Sequence, residues 1–253
     1  MAPRINPVHH AIHYSPAGFS LLKSQPSGPF IVETYKSTTL STLQRECGSF
    51  FDTPAEQTLV SLNFTAPFLV PKALFQPPAS QYLKMQQEVS DSDEVFEDDL
   101  GDYVAIYALP LSKTLPLRTT LRNPKFHHTS TLLYRYLAQY ESELPNKMLL
   151  HFSGNRMGFI LIKNGKLFII NELTFTTKED ALYYVLHILQ QQEARRDETE
   201  VLITGDTPDL KEIVQLLGRC LPHVQGAGKK ERVVNVKGQK EPAFAYIQLI
   251  GIQ

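Results

Sequence analysis

Tryptophan is absent from this chain, cysteine occurs only twice, and charge nearly cancels: 25 Lys and Arg against 26 Asp and Glu, a net charge of −1. Each lack excludes something. Near-neutrality removes any global field that would draw nucleic acid or an anionic membrane. Two cysteines, Cys47 and Cys220, cannot build a disulfide framework; both are expected as small buried hydrophobes in a reducing compartment. No apolar run approaches the roughly 20 residues that span a bilayer. Residues 1–7 hold one arginine and no apolar core, so no secretory signal is expected. These absences predict a soluble, cytoplasmic protein with no membrane span. There is also no Gly-x-Ser-x-Gly elbow, which discounts a hydrolase triad built on Ser130 and His128.

What is present is a core-forming composition, 42% hydrophobic over 253 residues, with 14 Phe and 11 Tyr. That length suits one large domain or two ordinary ones. Residues 8–24 read as a hairpin and 30–35 as a third strand. Thr38 or Thr39 can cap a helix bearing Leu40, Leu43 and Cys47. Residues 58–64 read as a fourth strand. Prolines then break the pattern, and 91–102 reads as an acidic loop. Residues 103–109 give a fifth strand, 111–121 a helix despite Pro116, and 129–140 a better helix. Past Pro145 the order repeats: hairpin strands 148–153 and 157–163, the turn Asn164-Gly165, a strand over 166–175, and a capping box at Thr176 and Glu179. A strand over 200–204, a helix over 209–220, a basic loop over 225–241 and a last strand over 243–250 complete the chain.

The chain therefore carries one unit twice. Ile12-His13-Tyr14-Ser15 followed by Gly18-Phe19 is matched by Leu150-His151-Phe152-Ser153 followed by Gly158-Phe159. Thr38 and Thr176 keep the same separation as His13 and His151. An α/β fold of two lobes is expected, 1–145 and 146–253, each in the order βββαβαβ.

Two such units resemble the RNase-H-like lobes of the actin-like ATPase superfamily. The chain is similar, from about Val8 to Ile250, to an uncharacterised bacterial family of unknown function with that fold. The strings that carry this likeness are Phe68-Leu69-Val70-Pro71-Lys72-Ala73-Leu74-Phe75 and Tyr107-Ala108-Leu109-Pro110. The resemblance implies a phosphate loop on each hairpin, with an aspartate that holds metal or its water, and a glycine-rich turn that packs on adenosine. Here the candidate nucleotide-loop positions are His13, Ser15 and Gly18, then His151, Ser153, Gly154 and Asn155, then Gly205 and Asp206. Histidine stands where the aspartate belongs, and neutral imidazole is a poor ligand for magnesium, which prefers oxygen. Pro16 lacks an N–H donor.

The sequence thus predicts no catalytic residue, no metal site and no resident cofactor, with Mg-ATP the one candidate. The first reading is a non-catalytic, actin-like interaction or scaffold protein that binds an unknown protein partner. The alternative is a diverged nucleotide-dependent phosphotransferase or ATPase using another carboxylate, such as Asp52, Asp102 or Asp206. Adjacent pairs His9-His10 and His127-His128 cannot each chelate one metal from a strand, because neighbours point to opposite faces. The acidic residues Asp91, Asp93, Glu94, Glu97, Asp98, Asp99 and Asp102 read as a solvated loop, and Lys229, Lys230, Arg232, Lys237 and Lys240 as a basic surface loop without stacking aromatics.

Overall fold

The computed structural model describes residues 10–16, 18–23, 31–36, 39–52, 57–85, 89–228, 234–236 and 239–241. His9, Thr38, Lys229, Lys230, Arg232, Lys237 and the expected strand 243–250 lie outside them. The chain divides into two compact units, a first built on 5–132 with 233–241 and a second on 133–232.

In chain order the first unit contains β1 (His10–Ser15), β2 (Gly18–Lys23), β3 (Ile31–Lys36), α1 (Leu40–Glu46), α2 (Gly48–Asp52) and β4 (Thr58–Leu62). An insertion follows: β5 (Phe68–Pro71), α3 (Ser80–Leu83), β6 (Asp93–Asp99) and β7 (Tyr103–Pro110). Then come α4 (Leu111–Thr120), β8 (Pro124–His128) and α5 (Thr129–Gln139), within which the two units divide. The second unit runs β9 (Asn146–Ser153), β10 (Arg156–Lys163), β11 (Lys166–Thr174), α6 (Lys178–Gln191), β12 (Thr199–Asp206), α7 (Leu210–Cys220) and β13 (Val224–Gly226). Strands β14 (Val234–Val236) and β15 (Gln239–Glu241) return to the first unit.

The two main sheets share one topology. The order β3-β2-β1-β4-β8 in the first is β11-β10-β9-β12-β13 in the second. In both, the three hairpin strands pair antiparallel and the next two pair parallel. Strands β14 and β15 extend the first sheet beyond β3, and β5-β7-β6 form a separate three-stranded sheet. Each unit closes over its own apolar core. One gathers Ile12, Leu21, Leu43, Val60 and Leu117; the other gathers Leu150, Phe152, Phe159, Val185, Ile203 and Ile213. No helix among the described residues is long and apolar enough to cross a membrane.

Local chemistry explains the joints. Thr39 caps α1 by accepting the Thr42 N–H, and Thr177 closes a capping box with Asp180. Thr39 is one of the two caps expected for α1, whereas Thr177 lies one residue beyond the expected Thr176; Thr39 and Thr177 keep the separation of His13 and His151. Asn164 and Gly165 both have positive φ, as a type I′ hairpin requires. Phe168 is an extra residue in β11, since Leu161 pairs with Ile169 and Ile162 with Leu167. Lys163 Nζ lies 4.5 Å from its ring centroid. A bulge beside a lysine blunts the end strand of a sheet against edge pairing.

Three expectations are corrected. The acidic stretch is a strand, because Val95 and Phe96 pack inward while Arg118 pairs with Glu94 and His127 with Asp98. The strand over 103–109 belongs to the insertion; the strand that completes the first sheet is β8, which the sequence reading passed over. The stretch 225–241 holds parts of three short strands rather than one loop.

Candidate functional site

Parallel β1 and β4 bring His13 beside Ser61, and β4 pairs in turn with β8, which leads directly into α5. A chain of polar contacts runs along these carboxyl ends. His13 Nδ1 lies 3.2 Å from Ser61 Oγ, and Ser61 Oγ lies 2.8 Å from Thr129 Oγ1. Thr129 donates its proton to the Leu62 carbonyl at 3.0 Å. With that proton spent, Ser61 is placed to donate to Thr129 and to accept from His13 Nδ1, which also lies 3.5 Å from Thr129 Oγ1. Burial, the larger cause, and the nearby His128 ring lower the His13 pKa to about 4, which favours the neutral imidazole.

His128 is fixed in the opposite tautomer. Its Nδ1 accepts the Ser130 N–H at 3.0 Å, so its Nε2–H donates to the Thr65 carbonyl at 2.7 Å. Its ring meets Tyr107 edge-on at 5.1 Å between centroids. His127 turns the other way, toward Asp98 on the inserted sheet, with Nδ1 at 2.7 Å from Oδ1. The other Asp98 oxygen accepts the His128 N–H at 2.8 Å. Asp98, 3% exposed, is the buried carboxylate among the described residues. Burial alone would raise it, but the hydrogen bond and charge of His127, with the His128 N–H, hold it below the usual carboxylate range.

In the second unit, His151, Ser153, Gly154, Asn155, Gly205 and Asp206 gather at the carboxyl ends of β9 and β12. Gly205 has φ +89°, and a Cβ there would lie 2.0 Å from the Phe152 carbonyl oxygen and 2.9 Å from His151 Nδ1. The absent side chain is what lets β12 close against β9. Gly154, at φ +59° in the β9–β10 turn, donates its N–H to the Asp206 carbonyl at 3.3 Å. Asn155 offers its carbonyl to the Phe175 N–H at 2.9 Å.

Register also refines the internal match. Ser15 pairs with Gly18 and Ser153 with Arg156, so Arg156 is the counterpart of Gly18. Likewise Ser20 and Gly158 face His13 and His151. The Gly-Phe strings of the two hairpins are therefore offset by two residues. Arg156, at the loop end, is paired with Glu172.

The other carboxylates considered are scattered. Asp52 ends α2, Asp102 lies in the β6–β7 turn, where its carbonyl accepts the Lys72 N–H, and Asp206 is exposed at the end of β12. Among the described residues, no three His, Cys, Asp or Glu side chains stand together as a metal-holding group. Asp98 and its partners were missed from sequence, since the acids around it read as a solvated run.

His13 makes the first unit acid-sensitive. Its folded pKa lies below the usual 6.5, so at intermediate pH the unfolded chain takes up a proton that the folded chain refuses. The stability it contributes is complete above pH 6.5 and is lost as pH falls toward 4. Lowering pH from 7.5 to 5 should cost about 2 kcal/mol through this residue. Urea midpoints at the two pH values check this: His13→Gln should shrink the difference by about that amount, and an unchanged difference would assign the acid sensitivity elsewhere.

A family model described as "Protein of unknown function (DUF3822)" matches residues 53–224. The chain is similar to a Bacteroides thetaiotaomicron protein described as having an actin-like ATPase fold and unknown function, with 17% identity, 86% of this chain and 90% of that one covered, and a TM-score of 0.71. It is also similar in fold to a chain of a PilM-PilN type IV pilus biogenesis complex, with 13% identity, 96% and 95% coverage and a TM-score of 0.59. No curated protein matches it in sequence. The fold is thus that of the actin-like ATPases.

Proposed function

The chain belongs to the DUF3822 family, and from that premise we propose that it is a non-catalytic interaction or scaffold protein of the actin-like fold. One observation carries this reading. On the match read from the sequence, His13 takes the position where the superfamily's active members carry a metal-holding aspartate, and this ring is buried, 3.2 Å from Ser61 Oγ, with its pKa lowered to about 4 by burial. A neutral imidazole offers no charge to magnesium, and hard cations select oxygen.

The second unit supports the same reading. The equivalent residue is His151, also buried, and the space beside Gly205 is filled by the chain's own Phe152 backbone. The Gly154 N–H, the donor best placed for an anion, already bonds the Asp206 carbonyl. These residues do not fit Mg-ATP. The PilM-PilN complex adds that a chain of this fold can work with a protein partner; we take the same mode of action for this protein, in the cytoplasm.

Nucleotide addition tests the proposal. Mg-ATP, Mg-ADP and Mg-GTP at millimolar concentration should leave the thermal midpoint unchanged and show no turnover. A ligand present at about 100 times its Kd would stabilise by roughly 2.7 kcal/mol, an effect easily read. Turnover of Mg-ATP that disappears when Asp206 or Gly154 is replaced would overturn the scaffold reading and restore the diverged ATPase.

A further inference from the structure

Strands β3 and β11 hold the same place in the two sheets, outermost of the hairpin strands, yet only one of them is covered. Strand β3 pairs with β2 in unbroken register, and β14 adds to its outer side in parallel, Asn235 beside Ile31 and Val236 beside Val32. Beyond β11 no strand lies among the described residues. Its sequence makes an open edge a hazard. Leu167-Phe168-Ile169-Ile170 is a run of apolar, β-forming residues on an end strand, the composition that invites strand addition from another chain.

Two features stand against such addition. The first is the bulge at Phe168, which breaks the register between Leu161 and Ile162. It is held in place: Lys163 Nζ lies over the Phe168 ring and donates to the Gln192 carbonyl just past α6. The second is a side-chain plug. The Phe175 N–H bonds the Asn155 carbonyl across the hairpin. By the alternation of an antiparallel pair, Leu173 and Asn171 then turn their N–H groups toward β10, while Ile170, Glu172 and Thr174 turn theirs outward. The Glu172 N–H, which an added strand would need, is taken by Asn171 Oδ1 at 2.8 Å. The residue of β3 matched to Asn171 is Glu33, whose carboxylate accepts the Tyr35 hydroxyl instead. The bulged and plugged edge is bare, and the regular one is paired.

We infer that β11 is a guarded edge, on which the Phe168 bulge and the Asn171 side chain stop a second copy of this chain from adding strand to strand. Antiparallel pairing of β11 with itself about a two-fold axis needs no other partner, so it is the association open to the chain whenever its concentration rises. The inference concerns this edge alone and stands whether or not the chain turns over Mg-ATP.

A variant that lacks Phe168 and carries Asn171→Val removes both guards. The deletion restores a one-to-one register and keeps Leu167 and Ile169 on opposite faces, like their partners Ile162 and Leu161. Sedimentation should show the variant associating as concentration rises, while the parent keeps a constant mass. The Ile170, Glu172 and Thr174 amides should gain hydrogen-exchange protection in step with that association. Asn171→Val alone, a change at an exposed position, should speed exchange of the Glu172 amide about fivefold at low concentration and associate more weakly. A double variant that folds, by its thermal midpoint, and keeps the parent's mass overturns the inference. So does association without new protection at those three amides, or a parent in which the Ile170 and Thr174 amides are already protected. If the double variant does not fold, Asn171→Val decides: parent-like exchange at Glu172 and an unchanged mass overturn the inference.

Discussion

Gly205→Ala should cost the second unit more than about 3 kcal/mol. Two penalties combine. The first is backbone conformation: φ +89° lies where an L side chain is strained, worth about 1 kcal/mol by itself. The second is steric and dominates. The new methyl would lie 2.0 Å from the Phe152 carbonyl oxygen and 2.8 Å from its nitrogen, both backbone atoms that cannot swing aside as a side chain can. Relief requires parting β12 from β9, which pair over eight residues. Urea unfolding should show a lower midpoint, and hydrogen exchange should show lost protection over β9 and β12. Gly154→Ala serves as the control, since Gly154 also has positive φ but meets nothing within 4 Å; it should cost about 1 kcal/mol. Equal losses at the two glycines would show that conformation alone, and not close strand approach, governs Gly205.

Asp98→Ala should cost the first unit about 3 kcal/mol. The carboxylate is buried and serves two partners, the His127 imidazole and the His128 N–H. Truncation strands both, and a buried donor left without an acceptor costs about 1–3 kcal/mol. Asp98→Asn, which keeps an acceptor oxygen but removes the charge, should cost about half as much. The pH dependence separates the two contributions. Because the folded pKa is depressed, the stability from ionised Asp98 is present above the unfolded carboxylate value near 4 and is lost as pH falls through the lower folded value. The variants should therefore converge on the parent only below pH of about 4. Loss of the same size at pH 3 as at pH 7 would mean that packing, and not charge, accounts for Asp98.

Much of the fold was legible because its signals are local. The Asn164-Gly165 turn, the threonine caps and the His-aromatic-Ser strings each depend on neighbours in sequence, and they give the duplication and its register. The Gly-Phe offset escaped notice for a physical reason. A shift of two residues in a strand leaves every side chain on its original face, so the pattern looks the same either way. Strand β8 was hidden because Pro124, Lys125 and two histidines show no apolar alternation; its partner β4 is far away in sequence. Asp98 was hidden more deeply. Nothing in Glu97-Asp98-Asp99 distinguishes the middle acid, and its burial depends on β8 and α5 arriving beside it. The strands and turn of the second hairpin could be read from sequence, but the Gly205 contact with the neighbouring backbone could not.

The insertion has a kinetic consequence for how the molecule assembles. Residues 63–123 separate β4 from β8, whereas residues 207–223 separate β12 from β13. Chain entropy grows only logarithmically with loop length, so the longer closure adds about 1 kcal/mol to the barrier-side penalty of joining those parallel strands. That is modest for stability yet worth several-fold in rate, and it falls on one unit alone. The second unit, with its short connections, is the natural first foldon on refolding, and the larger sheet closes after it.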